Sequence, residues 1–184
     1  SRKGWGDLDH RGLHLHECNW CRITLTMAVY LTDIQGALHT RLNGQAPFNT
    51  GIANTPGLVL EDDDIQSKME ALLNRVRVMA IVLRPISMVR VLEKTVVDFN
   101  WEVDCIENPA VNRPISGTYY TAEAVAESVF VLLDNYQIPS GTVTGTNSSR
   151  STAIMRMGTD EPAGSLVRYK VNGFVRSKLN VNIN

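Results

Sequence analysis

The N-terminal segment carries four potential metal donors close together: His14, His16, Cys18 and Cys21. Cys-x2-Cys beside two histidines offers the thiolate and imidazole ligands of a tetrahedral zinc site. The spacing argues against it. Structural zinc sites usually hold their two ligand pairs a dozen or more residues apart, so that the intervening chain folds around the ion. Here all four donors fall within one short run. A haem-attachment motif needs histidine directly after the second cysteine, and Arg22 stands there. A redox Cys-x2-Cys normally opens a helix after a strand, and no such pattern surrounds Cys18.

Carboxylates supply the other candidates. Glu61, Asp62, Asp63 and Asp64 offer oxygen ligands for a divalent cation, but they also read as the acidic start of a helix, favoured by its dipole. Glu102, Asp104 and Glu107 lie along one strand-like run. Glu102 and Asp104 share a face, which a two-carboxylate hydrolase or a merely solvated strand face would both require. His39 is the one histidine after residue 26, and it sits in a helical pattern rather than beside a nucleophile. Arg75, Arg77, Arg84 and Arg90 are scattered, not grouped into a nucleic-acid groove. No Gly-x-Ser-x-Gly, P-loop or dinucleotide fingerprint occurs. On these residues the chain reads as a binding or assembly protein without catalysis and without a cofactor. The alternative is a zinc-binding module, or a small metal-dependent enzyme, built on His14, His16, Cys18 and Cys21.

The elements that would position these residues are legible in the periodicity. Residues 27–44, MAVYLTDIQGALHTRLNG, read as a helix with Leu31, Ile34, Leu38 and Leu42 at helical spacing. Thr32 or Asp33 would cap a shorter version, and Asn43-Gly44 stops it. A short strand at 58–60 precedes a helix whose apolar stripe is Ile65, Met69, Leu72, Leu73 and Val76. The continuous apolar run 78–83 is a buried strand, ended by Arg84-Pro85. Residues 87–92 form a linker or short strand. Residues 96–107 alternate: Val97, Phe99, Trp101, Val103, Cys105 and, at the end, Glu107 face one way, with Val96, Asp98, Asn100, Glu102, Asp104 and Ile106 on an opposite, solvated face. After a loop at 108–120, Thr121 caps a helix to Tyr136 with Ala124, Val125, Val129, Leu132 and Leu133 inward. Residues 141–151 form a surface loop, strands follow at 152–157 and 166–175, and 179–183 adds an edge strand. The predicted class is α+β, one domain, with an antiparallel sheet and helices packed mainly on one face.

With 184 residues, a net charge of −1 and 43% hydrophobic content, the chain suits an ordinary globular domain. Charge balance gives no case for nucleic acid, and no apolar run is long enough to span a membrane. Residues 1–26 have no period and no signal-peptide core. They are read as an irregular upstream or non-native extension, with Met27 as the natural start of a domain covering 27–184. Peptides from 1–26 in the native protein would overturn that reading.

The segments GLVLEDD, RVMAIVLRP, WEVDCIENPAVNR and GTYYTAEAVAESVFVLLDNY follow one another between Gly57 and Asn172. This run resembles the small tail-completion, or tail-terminator, proteins of tailed bacteriophages and related prophages. The most distinctive part is Glu107-Asn108-Pro109-x-x-Asn112-Arg113. The chain departs from the pattern at 1–26 and in the Ser/Thr-rich stretch 141–151. The resemblance implies a virion structural protein assembled in the host cytoplasm. It implies one antiparallel sheet with flanking helices, and a homo-oligomeric ring, hexameric, at the head-proximal end of the tail. Its partners would be the tail tube protein and the head–tail connector protein. The segments expected to make contact are 108–120, 141–151 and the C-terminal strand, with Asn108, Asn112 and Arg113 as the interaction residues. A purely structural role, in which Asn108-Pro109 only ends a strand, is the competing reading.

Overall fold

The computed structural model describes residues 33–52, 54–62, 64–73, 77–85, 87–90, 96–112, 119–139, 147–157 and 166–178. Helix α1 runs over 33–43. Then come β1 (Gly57–Leu60), α2 (Ile65–Leu73), β2 (Val78–Val82), β3 (Ser87–Arg90), β4 (Val96–Glu107), α3 (Ala122–Leu133), β5 (Ser148–Met157) and β6 (Val167–Lys178). The fold class is α+β, as expected. The six strands form one sheet in the order β1-β2-β4-β6-β5, and β3 pairs β4. β4 is the spine. β6 lies along its whole length, while β2 pairs with its last five residues and β3 with Val97–Asn100.

Four of the five pairings are antiparallel; β1 and β2 are parallel. The connection through α2 makes this possible, since parallel neighbours need a long crossover rather than a tight turn. The sheet is therefore mixed.

The alternation of β4 decides where the core lies. Val97, Phe99, Trp101, Val103 and Cys105 are all fully buried, together with Val78, Ala80 and Val82 of β2 and Val171 and Val175 of β6. α1 covers this face with Ile34, Leu38 and Leu42, and α3 with Ala122, Val125, Ala126, Val129 and Leu133. The expected inward face of α3 is thus rotated: Ala124 and Leu132 are only half-buried, while Ala122 and Ala126 are buried. The two alanines let the helix backbone come close to the sheet. α2 sits on the opposite face, where Ile65 and Met69 pack against Met79, Ile81 and Ile106. Covered on both sides, β2 is buried at every residue, which is why its sequence is an unbroken apolar run.

Three boundaries differ from expectation. α3 ends at Leu133, because Asp134 leaves helical geometry and Asn135 takes φ +57°. β6 continues to Lys178 because β4 gives it partners that far. β5 begins at Ser148, inside the stretch read as a loop, with a register shift between Ser151 and Ala153. Ser149 is fully buried there, so a serine occupies an inward position where periodicity looks for an apolar residue. The segment expected as a last edge strand, 179–183, lies outside the described residues, as does Val76.

One glycine is demanded by the packing. A Cβ at Gly173 would stand 2.1 Å from Cζ2 of Trp101 and 2.3 Å from the carbonyl oxygen of Arg150. The Trp101 ring lies over its cross-strand neighbour, and only glycine leaves room for it.

Candidate interaction site

The Glu107–Asn112 segment lies at the exit of β4. Strand alternation aims Glu107 inward, two residues after Cys105, and leaves it nearly buried. The β2 ladder carries on one step further, with Asn108 N donating to Arg77 O at 3.1 Å. The chain then turns. The Asn108 side-chain oxygen accepts from Ala110 N at 3.1 Å, the Asx geometry that favours this residue before a turn. The Asn108 carbonyl accepts from Val111 N at 3.1 Å and Asn112 N at 2.8 Å.

Asn112 is 6% exposed. Its Nδ2 donates to Oε1 of Glu107 at 2.7 Å and to Tyr120 O at 2.9 Å. The other carboxylate oxygen of Glu107 accepts from Ala122 N at 2.9 Å. Ala122 is the first residue of α3, and Thr121 accepts from Ala124 N at 3.1 Å as the N-cap. Two of the helix's unpaired N–H groups are thereby satisfied, and an acidic group stands at the positive end of the dipole. Glu107, Asn108 and Asn112 thus form a clamp that joins the end of β4 to the start of α3.

This placement refines the expected roles. Asn108 and Asn112 order the loop by hydrogen bonds within the chain, while Arg113 lies outside the described residues. The outward surface belongs to Pro109, Ala110, Val111 and Tyr119, all exposed. Glu107 was legible only as an inward acid at a strand end. Its partners, five and fifteen residues further along, carry no periodic signal.

The opposite face of β4 and β6 carries a ladder of ion pairs. Arg176 meets Asp98 through two contacts of 2.8 Å, Lys170 meets Glu102 at 2.6 Å and Arg168 meets Asp104 at 3.0 Å. The hydrogen bond that Lys170 donates to Glu102 holds its ammonium above its ordinary pKa, and Asp98 does the same for the Arg176 guanidinium. Glu102 and Asp104 do share a face, as expected, but each is bound to a cation. They are cross-strand partners rather than a free acid and base. Asp104 is also more buried than a solvated face implies.

The acidic run lies just before α2, which starts at Ile65, and not in its first turn. Asp62 accepts from Asp64 N at 3.2 Å and pairs with Lys68, which lowers its pKa. Glu61 accepts from Arg84 N at 2.6 Å. Asp63 lies outside the described residues. Among the described residues, no group of three or more His, Cys, Asp or Glu is placed to hold a metal, and no helix is long and apolar enough to cross a membrane. His14, His16, Cys18 and Cys21, like the rest of 1–32, lie outside the described residues. Cys105 is buried in the core, and burial pushes its thiol far above the ordinary range, which makes it a packing residue rather than a nucleophile. His39 on α1 is half-buried. Burial lowers its pKa, partly opposed by a hydrogen bond with the Leu58 backbone.

Neither a scan against protein-family models nor a search of curated proteins returns a match to this chain.

Proposed function

We propose that this chain is a tail-terminator protein of a tailed bacteriophage. In this reading it acts without catalysis, as a ring of identical subunits, hexameric, that caps the tail tube and receives the head connector. The reading rests on the resemblance of Glu107–Arg113 and its flanks to that family's sequences. Glu107, Asn108 and Asn112 are spent on one internal clamp, which accounts for their types and spacing and holds Pro109–Val111 outward on a rigid base. A ring needs a heterologous surface that closes by rotation, and an open sheet edge at β5 is compatible with one.

The test is light scattering of the purified chain across a concentration series, followed by its addition to growing tail tubes. A discrete closed oligomer of about six subunits, together with tubes that stop lengthening, supports the proposal. A chain that stays monomeric and leaves tube length unchanged sinks it.

A further inference from the structure

The two edges of the sheet are treated differently. β1 is four residues long, and α1 engages its backbone through His39 at Leu58. β5 is ten residues long; its start also bridges Gln137, with Ser149 N donating to Tyr136 O at 2.8 Å, whereas among the described residues 153–157 pair only with β6. Natural sheets protect their edges by shortness, by covering elements or by charge. Among the described residues, the second half of β5 is protected by neither of the first two. It exposes Ile154, Met155 and Met157 at 37%, 42% and 38%, with exposed Arg156 between the methionines. No carboxylate among the described residues pairs with Arg156.

A surface of the opposite character lies on α3. Glu123, Glu127 and Val131 recur at four-residue intervals on its outer ridge, where such residues are neighbours. Both glutamates are exposed, no cation occurs on the helix, and none among the described residues pairs with either. Val131 is 71% exposed, more than any other large apolar side chain described. The dimensions agree. Ile154 to Arg156, on one face, spans about 7 Å of strand, and Glu127 to Val131 about 6 Å of helix.

We infer that the Ile154–Met157 segment of one copy docks on the Glu123–Glu127–Val131 ridge of a second copy. Arg156 meets the glutamates, and Ile154, on the same face of β5, covers Val131, while Met155 and Met157 point to the other face with their partners Lys170 and Arg168. Different patches meet, so the contact is heterologous and propagates from copy to copy. This rests on the ring reading above and names the surfaces that would build it.

The experiment uses the full chain with Arg156→Glu, Glu127→Arg and the combined exchange, measured by sedimentation velocity over a concentration series. Circular dichroism checks that each variant folds. Each single reversal should raise the dissociation constant at least about tenfold, and the combined exchange should restore assembly. If folded single variants assemble like the wild type, or the exchange restores nothing, the inference is wrong while the ring reading stands. If the exchange restores a closed dimer instead of a larger ring, the contact is right and the ring reading fails. A wild-type chain that is monomeric throughout overturns the contact.

Discussion

Removing the Glu107 side chain should be among the most damaging changes outside the apolar core. Glu107→Ala strips the acceptor from two donors, Ala122 N at 2.9 Å and Asn112 Nδ2 at 2.7 Å. Both bonds are buried, so water cannot easily take the acceptor's place. A buried donor left unpaired costs about 1–3 kcal/mol, and bonds to charged groups lie at the upper end. The expected loss is therefore about 3–5 kcal/mol, a large part of the 5–15 kcal/mol typical of a whole domain. Glu107→Gln keeps the shape but presents an amide to one of the donors, so about half that loss is expected. Asn112→Ala should cost about 2–4 kcal/mol, because it deprives both Glu107 and Tyr120 O of a donor. The two alanine substitutions share one bond, so the double variant should fall short of their sum by at least about 1 kcal/mol. The assay is urea denaturation, read by far-UV circular dichroism, with the slope m unchanged. A loss below about 1 kcal/mol for Glu107→Ala, or strict additivity with Asn112→Ala, would refute the clamp.

Three further outcomes follow. Gly173→Ala should cost about 3 kcal/mol in the same assay, since its Cβ meets a backbone carbonyl that cannot rotate away as well as the Trp101 ring; near-neutral behaviour would mean that the ring does not lie over the glycine. The pKa of His39 is held below 6.5 in the folded chain, so its contribution is complete above that value and is lost as the unfolded state takes up the proton first on acidification. His39→Gln should therefore lose less stability than the wild type between about pH 7.5 and 5.5, and equal losses would dismiss the role of its burial. Deleting residues 1–26 should leave the unfolding free energy within about 0.5 kcal/mol and insensitive to a strong chelator; a stoichiometric zinc ion in the full chain, or a larger loss, would favour a site at His14, His16, Cys18 and Cys21.

Periodicity carried much of the fold. The two-residue alternation of β4, the helical spacing of Ile34, Leu38 and Leu42, and the unbroken apolar run of β2 each report a local burial pattern, and burial is what selects those residues. The α+β class and the identity of the core face follow from them. Three features needed the assembled structure. β5 starts among serines, because backbone pairing with β6 and cover from α3 hold that stretch in place without an apolar signal. The parallel pairing of β1 with β2, and the position of α2 on the far face, depend on how the crossover packs, since an amphipathic stripe names a buried side but not the layer it meets. The motif itself was visible as residue types at a spacing, whereas its use as a clamp was not. Glu107 finds Asn112 and Ala122 only after the chain has turned back, and hydrogen bonds between residues brought together by a turn leave no periodic trace. Sequence alone therefore determined which residues face inward along α1, β2 and most of β4, because that depends on local geometry, whereas the face α3 presents came from how it packs on the sheet. Tertiary structure decided which inward and polar groups meet, because that depends on the path of the whole chain.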